Sequence, residues 1–228
     1  MTALGRLRLH LRETDSTNER ARALAAAGAP HGTLVTAEAQ SAGRGRQGRA
    51  WAAPAGSALL CSLVVRSFDE LLSLRAGLAV ADAAGAAARV KWPNDVLVEG
   101  RKVAGVLVEG RPQEGWAVVG IGVNVAVEPA ELPPAVREVA GTLGRPRSAV
   151  EPMLADLLRA LERRLGAAAG EVLDALRERD ALLGRPVSWA DGTGVGDGID
   201  AGGGLRVRRA GEVVVLSAGE VHLGRSES

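Results

Sequence analysis

The sequence predicts an α+β fold, with one larger unit of helices and strands over residues 1–183 and a small β-barrel over residues 184–228. Three observations carry this reading. Strand-like runs are interleaved with Ala- and Leu-rich runs that have helix starts and stops. Two helical patterns in succession close the first unit. At Gly184-Arg185-Pro186 the composition then shifts to Gly-rich sequence with short alternating strands, the habit of a small all-β module.

The elements follow in order. "RLRLHLR" (6–12) alternates apolar and basic residues with period 2, as a half-buried strand does. "DSTNERARALAAAGAP" starts a helix that Asp15 or Ser16 can cap and that Gly28 and Pro30 stop. Strands are expected at 32–39 and 58–65, separated by an arginine-rich loop, and an Ala-rich helix at 68–88. "DVLVEG", "KVAGVLVEG" and "WAVVGIGVNV" read as strands, the first two joined as a hairpin through Glu99 to Lys102. A Pro-rich irregular stretch, "EPAELPPAVREVAG", precedes helices in "AVEPMLADLLRALERRLG" and "EVLDALRERDALLG".

Within the arginine loop, Gly43-Arg44-Gly45-Arg46-Gln47-Gly48 matches the G-x-G-x-x-G pattern of dinucleotide sites. The physics opposes that match. A dinucleotide turn opens directly into a helix whose N-terminus holds the pyrophosphate. Here Pro54 and Gly56 follow at once, so no helix fits between Gly48 and Pro54. The segment reads instead as a cationic loop that closes over an anion, a lid that orders when full.

Lys and Arg number 28 against 27 Asp and Glu, a net charge of +1, where a dedicated nucleic-acid-binding domain carries a stronger excess, so the arginines are a local feature on a balanced protein. With one Phe and no Tyr, the core must be built from Val, Leu and Ala. The single cysteine, Cys61, lies in an apolar run and reads as a core residue that allows no internal disulfide. No signal peptide or long apolar span is visible, which points to the cytoplasm and away from the membrane. His10, His31 and His222 show no ligand spacing.

Four short stretches need a common explanation. "DSTN" (15–18) offers two hydroxyls and an amide at a helix start, although alone it reads as an N-cap. "EAQSAGRGRQGRAW" supplies Gln40 and the loop arginines. "KWPNDVLVEGRKVAG" (91–105) sets Asn94 and Asp95 after a Trp-Pro pair and delivers Lys102 and Gly105. "GIGVNV" (120–125) ends a strand with glycines and Asn124. In this order and spacing the set strongly resembles the biotin protein ligases, which attach biotin to a carboxylase carrier domain. The resemblance covers residues 10–225. It implies a central mixed sheet flanked by helices, similar to class II synthetases, and a C-terminal barrel of SH3 type. The family's regulatory members carry an N-terminal winged helix for operator DNA. With "DSTN" at residue 15, the resemblance is to the monofunctional class, without DNA binding.

Carried over position by position, the resemblance implies that Ser16, Thr17, Asn18 and Gln40 contact biotin, with Ser16, Thr17 and Gln40 on its ureido ring. Arg44, Gly45, Arg46 and Gly105 lie against the ligand and Trp51 walls the bicyclic ring. Lys102 bridges the biotin carboxylate and the α-phosphate. Arg44, Arg46, Arg49, Asn94, Lys102 and Asn124 serve ATP. Lys102, Arg46 and Asp95 carry the catalysis, Asp95 by orienting or deprotonating the incoming lysine amine. Biotin, ATP and Mg2+ are the implied small molecules, Mg2+ held mainly by phosphates and through Asn124 if by any side chain. The implied partner is a biotin carboxyl carrier domain of an acyl-CoA carboxylase, and a sheet edge could pair two copies of the chain as a homodimer. Chemically the residues suit such a reaction, because joining two anions calls for positioning and a cationic clamp. A lipoate-type protein ligase is the neighbouring alternative, and a nucleic-acid-binding module using the arginine loop is the alternative from another class.

Overall fold

The computed structural model describes residues 3–224. The outermost residues of both expected units, 1–2 and 225–228, lie outside them. The larger unit is built on a seven-stranded mixed sheet of order β1-β2-β3-β7-β6-β5-β4. Its strands are β1 (Arg8–Thr14), β2 (Leu34–Gln40), β3 (Ala58–Val65), β4 (Arg89–Lys91), β5 (Asp95–Val98), β6 (Arg101–Arg111) and β7 (Trp116–Asn124). β1 and β2 run parallel and every other neighbouring pair is antiparallel. The central strands β3 and β7 are buried along their whole length, as their unbroken apolar and small residues require.

Among the described residues the α-helices are α1 (Thr17–Ala26), α2 (Leu72–Ala84), the short α3 (Pro134–Arg137), α4 (Val150–Gly166) and α5 (Ala169–Glu178). One face is covered by α2 and α4. Leu78, Leu157 and Leu161 from these helices meet Val119, Ile121 and Val123 of β7 in the main core. Full burial of one such Leu contributes about 1.5–3 kcal/mol. The other face is covered only at its ends. Ala21 and Ala25 of α1 pack on Val35, Val64 and Val118 at one end. Val127, Leu132 and Ala140 pack on Ala58 and Leu60 at the other. The middle of that face is left for the site.

Several local expectations change. β1 is not half-buried: it is an edge strand, largely exposed, with Leu9 at 40%. β4 was not expected, since three residues between Gly85 and Pro93 are too few to show a pattern. The β5–β6 turn is tighter than Glu99 to Lys102. It is a two-residue Glu99-Gly100 turn with φ of 52° and 76°, the positive pair that a twisted hairpin favours.

The C-terminal unit has β8 (Pro186–Trp189), β9 (Gly192–Ile199), β10 (Leu205–Arg209), β11 (Glu212–Leu216) and β12 (His222–Leu223). They form an antiparallel sheet of order β11-β10-β9-β8-β12. The sheet is open: the two-residue β12 pairs with β8 alone, so among the described residues nothing joins it to β11. Its inner residues, Val187, Ile199, Leu205, Val207 and Val221, merge into the main core. Buried Trp92 ties the two units together, its Nε1 donating to the Gly203 carbonyl at 3.0 Å. Among the described residues no helix is long and apolar enough to cross a membrane.

Candidate active site

The floor of the site is a consequence of strand alternation. Val119, Ile121 and Val123 of β7 point into the core, so Gly120, Gly122 and Asn124 face the other way. A Cβ on Gly120 would sit 2.0 Å from Asn18 Oδ1, and one on Gly122 would sit 2.4 Å from Trp51 Cε2. Two missing side chains thus let an amide and an indole lie directly on the sheet. Gly105, paired with Gly122 across the β6–β7 ladder, extends this cleared surface beneath Trp51 and Lys102.

At the start of α1 the polar residues do more than cap. Ser16 occupies the N-cap position but makes no side-chain capping bond, and Asp15 instead accepts the adjacent Ser16 N–H. The N-cap expectation for Asp15 and Ser16 is therefore replaced by a buried network. Thr17 donates its backbone N–H (2.7 Å) and its hydroxyl (3.0 Å) to Gln40 Oε1. This fixes the Gln40 amide and leaves its Nε2 beside Gly43. Asn18 donates to Glu109 Oε2 at 2.7 Å and lies near the Leu107 carbonyl, which turns its Oδ1 toward Ser62 Oγ at 2.6 Å. Ser62 and Glu109 were not foreseen. Each sits alone in a strand whose other residues carried the pattern, so only the fold brings them to α1.

Lys102 reaches the same face through a bulge. The β5–β6 register shifts between Val96 and Leu97, and Val103 and Ala104 both enter the main core. One extra residue reverses the alternation and puts Lys102 on the side of Gly105 and Asp95. Its Nζ lies 2.7 Å from Asp95 Oδ1 and 5.6 Å from the centre of the Trp51 ring. A second lysine, Lys91, stands 3.5 Å from Asp95 Oδ2. Burial pulls its ammonium below the usual lysine range, Asp95 opposes this, and Lys102 adds to it. In the sequence Lys91 stands out only as part of its segment, because an isolated lysine before Trp-Pro carries no pattern of its own.

The arginine loop folds back over this floor with a bridge between Arg44 and Ala50 and a single 3-10 turn at Arg46–Gly48, so no dinucleotide-type helix follows the glycines. Arg44 pairs with Glu19 at 3.0 Å and Glu109 at 3.2 Å. Arg49 pairs with Glu220 of the C-terminal unit. Arg46 bonds two neutral groups, Asn94 Oδ1 at 3.1 Å and the Gly219 carbonyl at 3.0 Å. Of the three guanidinium groups expected to form a cationic clamp, only that of Arg46 is not balanced by a carboxylate among the described residues. The Gly45 amide, expected to face a ligand, donates to the Arg49 carbonyl at 2.7 Å within the loop. A cavity of about 420 Å³ lies under the loop, lined by residues 44–49 with Leu107 and Glu109.

Asn94 holds the turn after Pro93, donating to the Val106 carbonyl at 2.8 Å. Asn124 donates to the Gly141 carbonyl at 2.9 Å, while its Oδ1, like Trp51 Nε1, is buried without a hydrogen-bond partner among the described residues. Cys61 is a core residue as expected, and burial pushes its thiol up to about 12. Among the described residues no three His, Cys, Asp or Glu side chains gather as a metal cage. The structure thus groups Thr17, Asn18 and Gln40 on one side of Trp51, and Asp95, Lys102 and Gly105 on the other. Arg44, Arg46 and Arg49 lie above, with Asn124 at the end of the floor.

Residues 11–125 match the Biotin/lipoate A/B protein ligase family. The chain is 37% identical to a biotin--[acetyl-CoA-carboxylase] ligase of Mycobacterium tuberculosis, over 92% of this chain and 86% of that protein. It is also 37% identical to the ligase of the same name from Paracoccus denitrificans, over 94% and 99% of the two chains. Among solved structures, it superposes on a biotin protein ligase from Aquifex aeolicus in complex with biotin and ATP with a TM-score of 0.83 and 29% identity. That match covers 97% of this chain and all of the other. On its matched residues and on relatives aligned over nearly its whole length, the chain belongs to the biotin/lipoate A/B protein ligase family.

Proposed function

We propose that this protein uses ATP to convert biotin into biotinyl-5'-AMP and transfers the biotinyl group to a lysine of a biotin carboxyl carrier domain of an acyl-CoA carboxylase. The observation that carries this reading is the glycine-cleared floor, with an oriented amide at one end and the Lys102–Asp95 pair at the other. Such a floor suits a flat ligand with polar groups at one end and a carboxylate at the other. The printed names of the relatives, biotin--[acetyl-CoA-carboxylase] ligases, support it.

In the first step a biotin carboxylate oxygen attacks the α-phosphorus of ATP. The bond from that phosphorus to the bridging oxygen breaks and pyrophosphate leaves. Thr17 and Gln40 hold the ureido end, with Ser16 and Asn18 beside them, and Trp51 walls the ring. Lys102 lies where the two anions meet and offsets their repulsion, and Arg46 brings the unbalanced charge of the lid. In the second step the acceptor lysine nitrogen attacks the acyl carbon, the bond to AMP breaks, and the ammonium proton passes to Asp95 or water. Asn124 Oδ1, buried and without a hydrogen-bond partner among the described residues, is the side-chain oxygen that would hold Mg2+ if any does. Mg2+ would neutralise phosphate charge.

We take residues 1–183 as the catalytic unit and 184–228 as an opened SH3-type module that supports the lid from Gly219 and Glu220. The decisive test is mass-detected transfer of biotin onto the carrier-domain lysine in the presence of ATP. Transfer of lipoate in place of biotin would move the protein to the lipoate branch of the family.

A further inference from the structure

The three lid arginines do not share one fate, and the carboxylate that holds Arg44 also holds the biotin end of the floor. Glu109 sits on β6, four residues beyond Gly105, with its side chain one-quarter exposed. Its Oε2 takes Asn18 Nδ2 at 2.7 Å and Arg44 Nη2 at 3.2 Å, and its Oε1 lies 3.5 Å from Arg22. Asn18 passes the constraint to Ser62, and Ser62 lies 2.8 Å from Thr17 Oγ1, which bonds Gln40. One carboxylate on a rigid central strand thus joins the lid to the helix start that reads the ligand.

We propose that Glu109 is the positioning residue of the lid. By holding the Arg44 side chain sideways, away from the phosphates, it sets the Arg44–Gly45 backbone at the depth defined by the Thr17–Gln40 pair. The inference rests on the proposed function for its ligand, though not for the linkage itself. Arg44 is then a pin and not a phosphate ligand. Two carboxylates, Glu19 and Glu109, already balance its charge, and moving it onto a phosphate would leave both to share Arg22 alone as a cationic partner. Glu19 grips Arg44 from α1, while the Asn18 side chain bonds Glu109, Leu107 and Ser62 and, among the described residues, not the Glu19 carboxylate, so the two carboxylates separate the two arms of the linkage.

The test uses Glu109→Gln, which keeps an acceptor for Asn18 Nδ2 and removes the charge facing Arg44, with Glu19→Gln and Arg44→Gln beside it. Hydrogen exchange of the substrate-free protein reads the pin without any assumption about substrate. Amides 44–50 should exchange about tenfold faster in Glu109→Gln, a change the loss of one charged hydrogen bond can produce, while amides of β7 stay protected. With biotin and ATP, free biotinyl-adenylate should rise about tenfold relative to pyrophosphate exchange. In lid exchange the Glu109→Gln/Arg44→Gln double variant should be no worse than Arg44→Gln alone, because Arg44→Gln already removes the contact with Glu109. Lid exchange unchanged in Glu109→Gln, or additive effects in the double variant, would overturn the proposal. If the wild type makes no adenylate from biotin, the functional reading fails, and lid exchange still decides the role of Glu109.

Discussion

Lys102 Nζ lies 2.7 Å from Asp95 Oδ1 because one extra residue in β6 turns it onto the face of Gly105. Without that bulge the lysine would point into the core side of the sheet. A cation held there by a single carboxylate can exchange it for two incoming anions, so its charge counts most when phosphate and carboxylate are forced together. Lys102→Ala should lower kcat for adenylation by about 10²–10³, with ATP affinity falling less, as for loss of one well-placed donor. Single-turnover adenylate formation measures this. A loss under about threefold would make Lys102 a bystander.

Asp95 also faces Lys91 at 3.5 Å, so its carboxylate balances two ammonium groups. If it takes the proton of the acceptor lysine, Asp95→Asn should slow transfer from preformed adenylate by about 10²-fold at neutral pH. The deficit should narrow as pH rises and the acceptor amine loses its proton unaided. A deficit that stays constant with pH would assign Asp95 to orientation alone.

Gly122 leaves the space that Trp51 fills. Gly122→Ala puts a methyl 2.4 Å from the indole, so Trp51 must lift from the floor. Biotin affinity should fall by about tenfold or more, in line with an overpacking cost of roughly 1–3 kcal/mol, and Trp51 emission should shift to the red. Calorimetry and fluorescence read both. Unchanged affinity would remove Trp51 and its glycine floor from the ligand site.

Much of this was legible before the fold was known, for reasons specific to the residues. β3 was placed at Ala58–Val65 because a fully buried strand is an unbroken apolar run between turn signals. The glycines of β7 and the lid arginines stood out because each breaks the pattern around it. Ser62, Lys91 and Glu109 did not, since each is an ordinary polar residue whose meaning comes from a partner far along the chain. The separate fates of the three arginines were hidden for the same reason: Glu19, Glu109 and Glu220 reach them only through tertiary structure. The open C-terminal sheet reflects a last strand too short to ladder with two neighbours, which composition does not reveal.

Asp180, between α5 and β8, takes the Leu182 N–H on Oδ1 and leaves Oδ2 buried without a hydrogen-bond partner among the described residues. Burial raises its carboxyl above the usual range, against the pull of the Leu182 and Leu183 amides. The ionised form is therefore penalised in the folded state, and that penalty is relieved as pH falls through the raised folded value. Asp180→Asn should be more stable than wild type by about 1 kcal/mol at pH 8, with the gap closing toward acid pH. Thermal unfolding across pH tests this. A gap independent of pH would assign the effect to packing.

The central claim is that the Thr17–Gln40 end of the floor reads a ureido ring while Lys102 and Arg46 clamp the reacting anions. Pyrophosphate–ATP exchange by the purified protein, driven in turn by biotin, lipoate and octanoate, tests it most directly. Exchange should appear with biotin and be lower by at least an order of magnitude with the other two acids, because buried polar groups facing the wrong ligand cost about 1–3 kcal/mol each. Equal exchange with lipoate would contradict the account.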